Sequence, residues 1–299
     1  MAKRTRRTQS QVAAYERDIH ETAEDIHPCT IRQLYYQLVT RGLIDKTDRA
    51  YQQLVRQCTI MRRAGRLPFT WFVDNTRWMH APMLHRDLRQ FIDEYQTAYR
   101  RDLWRGQNVQ VQVWIEKDAL TGVFYDVTEQ YGVPLFPCRG YPSLSFLHSA
   151  AVQLATSLCH HRQQTYLYYF GDHDPSGQDI PRSVHQQLQE LTAEHLEKNV
   201  TQWQSDIDSA LNCLHFELVA VTAEQIRDMG LPTRPTKRTD SRAKNWQGGS
   251  VELDAIHPDK LRDITRQLIT QHIDDRQWQL NQQVEREERA ALAMFGQTV

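Results

Sequence analysis

The sequence predicts an α/β protein with three parts: an N-terminal helix-turn-helix region, a mostly parallel sheet with helices on its faces, and a C-terminal helical extension. Three observations carry this. From about residue 109, short apolar runs alternate with amphipathic stretches, the order expected of β-α-β-α connections in a parallel sheet. Before that point lie two well-capped helical segments and a short extended run. After about residue 258 the chain turns polar and helical.

Residues 9–27 read as a polar helix with few apolar anchors. Thr30 is a good N-cap, and Gln33 three residues later completes a capping box, so a helix is expected up to about Arg41 with Gly42 closing it. A second helix over 47–64 carries Tyr51, Leu54, Val55, Cys58 and Met61 on one face and ends near Gly65. Leu67 to Val73 reads as a short extended piece. Two short helices followed by such a piece resemble a winged helix-turn-helix. Residues 82–103 read as a connecting helix. Strands are expected at 109–115, 133–137, 165–171 and 216–221, and helices at 119–130, 144–160 and 179–198, with Thr222 capping a further short helix. Residues 231–250, rich in Pro, Thr, Lys, Arg, Gly and Ser, read as a loop. Residues 258–298 form one or two helices with Leu261, Ile264, Leu268 and Ile269 as a stripe. The division is 1–27 basic arm and leading helix, 28–107 winged-helix-like domain, 108–228 sheet domain, and 229–299 loop and helical extension.

With 299 residues, 40% of them apolar, the chain can bury two cores. Net charge is -1, but it is unevenly spread: residues 1–110 hold 19 basic and 12 acidic residues, and the remainder 17 and 25. A basic half beside an acidic half fits a DNA-holding module next to a metal module; a plain electrostatic preference between two domains fits it too. Cys29, Cys58, Cys138, Cys159 and Cys213 are odd in number and show no CxxC spacing, which favours reduced thiols inside a cell over a zinc site. No signal peptide and no apolar stretch long enough to cross a bilayer is read. The arm Lys3-Arg4-Thr5-Arg6-Arg7 fits phosphate contact or a solvated terminus.

Three carboxylates follow strand-like runs. Glu116 closes Val111-Gln112-Val113-Trp114-Ile115-Glu116, and Asp172 and Asp174 close the run from Thr165 to Asp174. In a parallel sheet, ligands gather beyond the carboxyl ends of the strands. Residues i and i+2 share a side of an extended chain, so Asp172 and Asp174 point one way and His173 the other. Mg²⁺ suits such an oxygen set held against phosphate; ordinary strand-end and turn acids are the plain alternative. Lys117 and Arg139, the latter beside Gly140, fit contact with phosphate, and a solvated side chain fits Lys117 equally well. Asp179 fits a further metal or water ligand or a helix cap, and the cap is the favoured reading. Glu252 and Asp254, in the strand-like piece Val251-Glu252-Leu253-Asp254-Ala255-Ile256, fit either approach to the metal site or edge-strand solubility.

Tyr35 and Tyr36 are adjacent in a helix, hence about 100° apart, and cannot share one role. Ile31, Leu34, Tyr35 and Leu38 follow the i, i+3, i+4, i+7 stripe, which assigns Tyr35 to packing. Tyr36 shares another face with Arg32, a phenol beside a guanidinium. On pattern alone, half-buried packing is the better account of both tyrosines.

Taken in order, Arg32-Gln33-Leu34-Tyr35-Tyr36, Ile115-Glu116-Lys117-Asp118-Ala119, Gly140-Tyr141-Pro142 and Gly171-Asp172-His173-Asp174-Pro175-Ser176-Gly177-Gln178-Asp179-Ile180 resemble the motifs of the catalytic A subunit of type IIB DNA topoisomerases (topoisomerase VI) and the related meiotic double-strand-break proteins. In size the chain looks most like the compact stand-alone versions in bacteria, phages and plasmids. The resemblance covers roughly residues 28–220. It implies a winged-helix domain joined to a Toprim domain. It also implies Tyr36 as nucleophile with Arg32 beside it, and Glu116, Asp172 and Asp174 as an Mg²⁺ centre in which Glu116 also serves catalysis. Candidate DNA contacts are Lys117, Arg139, Arg62 and Arg63. The implied partners are double-stranded DNA, a second copy of the chain whose tyrosine approaches the first copy's metal site, and a separate GHKL-type ATPase subunit. The implied location is the cytoplasm, on nucleoid, phage or plasmid DNA. No ATPase motif stands in this sequence, so strand passage is not expected of the chain alone. The competing readings are a Toprim nuclease that uses an activated water, and a non-catalytic DNA-binding module.

Overall fold

The computed structural model describes residues 8–72, 82–161, 163–199, 207–235, 246 and 248–297. Among these the protein is mixed α/β, with eleven α-helices and one four-stranded, all-parallel sheet. Lys3 to Arg7 and most of the expected loop lie outside the described residues.

Helix α1 (Gln9–Ile26) begins in a capping box formed by Thr8 and Gln11, and its few anchors, Tyr15, Ile19, Ala23 and Ile26, are buried. Helix α2 (Ile31–Thr40) starts at the expected Thr30–Gln33 capping box, and Gly42 follows its end at φ 70°, a conformation that glycine adopts at low cost. Helix α3 (Asp48–Arg63) is capped by Thr47 and buries Leu54, Cys58 and Met61. The expected extended piece after it is instead a 3-10 turn, Phe69–Trp71, with a single bridge from Phe72 to Cys29. The Trp71 indole stacks on His27 at 4.9 Å, so aromatic packing, not a strand ladder, fixes this segment. Val73 lies outside the described residues. Helix α4 (Leu88–Ala98) is shorter than the expected 82–103, because Asp87 caps it late.

Strands β1 (Val109–Ile115), β2 (Leu135–Pro137), β3 (Gln164–Phe170) and β4 (Leu214–Ala220) stand in the order β2-β1-β3-β4. Helices α5 (Thr121–Thr128), α6 (Leu144–His161), α7 (Pro175–Asn199), α8 (Ile207–Leu211) and α9 (Ala223–Asp228) connect or follow them. The two-residue period of the strands divides the core in two. Val111, Val113, Ile115, Tyr168 and Phe170 face one side with Val123 and Phe124 of α5. Trp114, Leu167 and Tyr169 face the other with Leu147 and Leu154 of α6 and Val184 and Leu188 of α7.

The C-terminal part is not an appendage. Residues 250–256 cross the carboxyl end of the sheet as single bridges, Arg234 to Ser250 and His173 to Val251, followed by a 3-10 turn, Leu253–Ala255. Helix α10 (Pro258–Thr270) buries Leu261 and Ile269, and helix α11 (Asp275–Gly296) buries Trp278; all three join the core cluster that also holds α1, α2 and the first sheet face. Among the described residues no helix is long and apolar enough to cross a membrane.

Candidate functional site

The connection from β1 to β2 runs one way along the sheet, and β3 lies on the other side of β1. The crevice where parallel sheets bind ligands is therefore at the carboxyl ends of β1 and β3. Ile115 and Phe170 are register partners there, so Glu116 and Asp172 leave the sheet side by side. The Glu116 N–H donates to the Phe170 carbonyl at 2.8 Å, and the Asp172 N–H donates to Glu116 Oε2 at 2.9 Å. Gly171 makes this approach feasible, since a Cβ at that position would stand 2.8 Å from Glu116 Oε2.

Asp172 Oδ1 accepts the Leu253 N–H at 2.8 Å and lies 2.9 Å from Lys117 Nζ. Asp174 Oδ1 accepts the Gly177 N–H at 2.7 Å, which makes Asp174 the cap of α7 and starts that helix at Pro175 instead of 179. Asp179 is accordingly not the cap: it lies beyond the first turn of α7 and accepts hydrogen bonds from Tyr141 at 2.6 Å and Arg182 at 2.7 Å. His173 turns away as alternation requires, its backbone paired with Val251 and its Nδ1 3.1 Å from the Val221 carbonyl.

Burial, then the charge of Asp172, pushes the Glu116 carboxyl up to about 7. Burial also raises Asp172, against the pull of Lys117. Such a set holds more negative charge than its surroundings stabilise, and its oxygen-only donors suit a hard cation such as Mg²⁺. Among the described residues no three His, Cys, Asp or Glu groups converge as a ready-made metal cluster. One oxygen of each carboxylate accepts a backbone N–H, and Lys117 is paired with Asp172.

Lys117 leads to the second half of the site. Its Nζ lies 3.0 Å from Glu252 Oε2 and 2.8 Å from Asp254 Oδ2, so the expected phosphate contact is committed inside the protein. Burial works against the Lys117 charge, but Asp254, Asp172 and Glu252 outweigh it and raise its proton affinity. Glu252, 2% exposed, also meets Arg32, whose Nε stands 3.0 Å from the same oxygen, and Arg234, whose Nη2 stands 2.7 Å from Oε1. Arg32 and Tyr36, four residues apart on α2, do share one face. Burial raises the Tyr36 phenol well above the usual range, the Glu252 charge and its hydrogen bond to the phenol raise it further, and Arg32 and Lys117 act in the opposite sense. Lys46 Nζ lies 5.3 Å from the centre of the Tyr36 ring. An open cleft of about 650 Å³, lined by Arg32, Tyr36, Lys46, Tyr51 and Arg234 among others, runs alongside.

Burial does not separate the two tyrosines, at 6% and 2% exposed; their partners do. The Tyr35 hydroxyl donates to the Thr47 carbonyl at 3.2 Å and its ring packs edge-on to Tyr51, whereas Tyr36 belongs to the charged network. Arg139, at φ 58°, pairs with Asp118 at 3.1 Å and keeps 64% of its side chain exposed. Arg62 lies over the rings of Phe69 and Phe72 at 5.5 and 5.2 Å, and Arg63 is exposed at the end of α3. These three are not brought to the carboxylates as a group. Glu252 and Asp254 carried a weak sequence signal, two acids alternating with apolar residues; Arg234 and Lys46 carried none.

Comparison with protein-family models, curated proteins and solved structures finds no match to this chain.

Proposed function

We propose that this chain cleaves double-stranded DNA by Mg²⁺-dependent tyrosine transesterification, with Tyr36 as the nucleophile. The architecture we assign is a winged-helix domain followed by a Toprim domain, like that of type IIB topoisomerase A subunits. The observation that supports this best is a chain of contacts within one protomer. Tyr36 and Arg32 on α2 meet Glu252, Glu252 meets Lys117, and Lys117 meets Asp172 at the switch point of the sheet.

In the proposed step the Tyr36 oxygen bonds to phosphorus as its proton passes to solvent water. The P–O3′ bond breaks, and the 3′ oxygen takes a proton from solvent and departs as a hydroxyl, so the number of protons is unchanged. A 5′-phosphotyrosine link remains, which conserves the bond and permits resealing. Arg32 offers a planar fork to the non-bridging oxygens, and its charge with that of Lys117 favours the phenolate. Glu116, Asp172 and Asp174 would hold Mg²⁺, which supplies positive charge against the phosphate. A homodimer in which each tyrosine serves its own protomer's carboxylates, in place of the cross-subunit approach that the resemblance implies, and a separate ATPase subunit for strand passage belong to the same proposal, as does a place on cytoplasmic DNA.

One observation favours a second reading. A carboxyl near 7, as at Glu116, suits a general base for water, so hydrolysis by a Toprim nuclease is the alternative. The two are separated by incubating supercoiled DNA with protein and Mg²⁺, stopping with detergent, and assaying covalent protein–DNA adducts. Adducts in the wild type that vanish in Tyr36→Phe support transesterification. Nicking that survives Tyr36→Phe overturns it in favour of water. Sedimentation with and without DNA tests the dimer; a monomer in both would sink that part.

A further inference from the structure

Glu252 is an anion in a cradle of cations drawn from three separate parts of the chain. Arg32 comes from α2, Lys117 from the end of β1, and Arg234 from the segment bridged to Ser250. Arg32 and Lys117 both approach Oε2 at 3.0 Å, while Arg234 approaches Oε1 at 2.7 Å. The Tyr36 phenol stands beside the same carboxylate, and Arg32, Tyr36 and Arg234, which surround it, also line the cleft.

We propose that Arg32, Lys117 and Arg234 form a binding site for one phosphodiester of a DNA backbone, and that the Glu252 side chain fills this site in the unbound protein as a stand-in anion. The inference rests on the reading of Tyr36 and its surroundings as a DNA-backbone site, and it deepens that reading by making the site self-occluded.

A carboxylate and a phosphodiester each carry one negative charge and each present two oxygens to donors. Exchanging one for the other leaves the charge balance of the cradle unchanged. A phosphomonoester would bring close to two charges and disturb it. Two of the three cations are arginines, whose forks suit phosphate as well as carboxylate. The exchange also needs little movement. Val251 is pinned to His173 by backbone hydrogen bonds of 2.8 and 3.0 Å, and the Leu253 N–H is pinned to Asp172 Oδ1 at 2.8 Å. Rotation of the Glu252 side chain about its own bonds vacates the cradle while the backbone on both sides, and Asp172 with it, stay in place. With Glu252 withdrawn, the phosphate takes its position next to the Tyr36 oxygen.

The test is fluorescence anisotropy with a labelled DNA duplex of about 20 base pairs, run in EDTA on the full chain in a Tyr36→Phe background, so that no chemistry intervenes. Glu252→Gln removes the internal anion and is expected to tighten binding by about tenfold at low salt, with the slope of log Kd against log salt steeper by about one. Glu252→Asp keeps the charge but withdraws it by one methylene, and a smaller gain in the same direction is expected. It carries the test if Glu252→Gln does not fold. Unchanged or weaker binding in a folded Glu252→Asp protein overturns the proposal, because it would mean that Glu252 organises the cations and does not compete for them. The outcome is separable from the cleavage assay. Tighter binding without adducts in Tyr36-intact protein leaves the phosphate site standing and removes the tyrosine chemistry. Adducts with unchanged Glu252→Asp binding do the reverse.

Discussion

Glu116 Oε2 accepts the backbone N–H of Asp172 at 2.9 Å, so the carboxylate that ends β1 is held by the first acid beyond β3. That bond favours the ionised form, yet burial and the Asp172 charge dominate and raise the carboxyl from its reference value of 4.5 to about 7. The sign of the consequence is set by linkage. An acid whose folded value is raised stabilises the fold below its unfolded value, and this contribution is lost as pH climbs toward the folded value. The window is therefore about 4.5 to 7. Without metal, Glu116→Gln is expected to gain on the wild type by on the order of 3 kcal/mol across that window, read from urea unfolding at pH 4.5 and pH 8. A stability gap that does not widen with pH would show that the raised affinity is absent.

Lys117 bears on the same balance from the other side. Its Nζ touches Asp172, Glu252 and Asp254 together, all at 3.0 Å or less. Lys117→Met leaves these buried acids short of a cation and is expected to cost about 3–5 kcal/mol. If the carboxylates at the sheet end take Mg²⁺, millimolar Mg²⁺ raises the Tm of this variant by more than that of the wild type. Equal Mg²⁺ shifts in both would separate Lys117 from the metal site.

Gly177 sets a steric limit. A Cβ there would stand 1.9 Å from the Asp172 carbonyl oxygen, inside any tolerable contact. Gly177→Ala must displace either the first turn of α7 or the Asp172 backbone, and insoluble protein or a loss above about 3 kcal/mol is expected. A soluble variant with wild-type unfolding would contradict the close approach.

Local signals wrote most of the fold into the sequence. The Thr30–Gln33 capping box and the Thr222 cap placed two helix starts, and the apolar runs placed β1 and β3 within a residue of their ends. Where several local rules competed, the reading slipped. Asp174 and Asp179 are both plausible caps before an apolar stretch, and only the packing of Gly177 on Asp172 selects Asp174. The extended piece after α3 depended on Trp71 meeting His27, a contact across more than forty residues that no local pattern encodes. The same holds for the charged network. Arg32 and Glu252 are 220 residues apart, and nothing near either residue marks the other as its partner. The carboxylate set was legible because strand ends carry it; the cradle around Glu252 was not, because tertiary packing builds it.

Asp174 offers a way to tell a ligand from a cap. Its Oδ1 accepts the Gly177 N–H at 2.7 Å, a role that an uncharged side-chain oxygen fills equally well. Asp174→Asn therefore keeps the cap and removes the charge, whereas Asp174→Ala removes both. If Asp174 serves only α7, Asp174→Asn is neutral and Asp174→Ala costs about 1 kcal/mol, with no change in Mg²⁺ affinity in either. If it belongs to the metal set with Glu116 and Asp172, Asp174→Asn lowers Mg²⁺ affinity by at least about tenfold while unfolding stays close to the wild type. The second pattern is the expected one, because the charge of Asp174 is already felt at Glu116, where it adds to the raised affinity for a proton. Titration calorimetry at pH 8, where Glu116 is ionised, with urea unfolding of the same samples, measures both quantities. Unaltered Mg²⁺ affinity in Asp174→Asn would remove Asp174 from the metal set and leave two carboxylates to hold the ion.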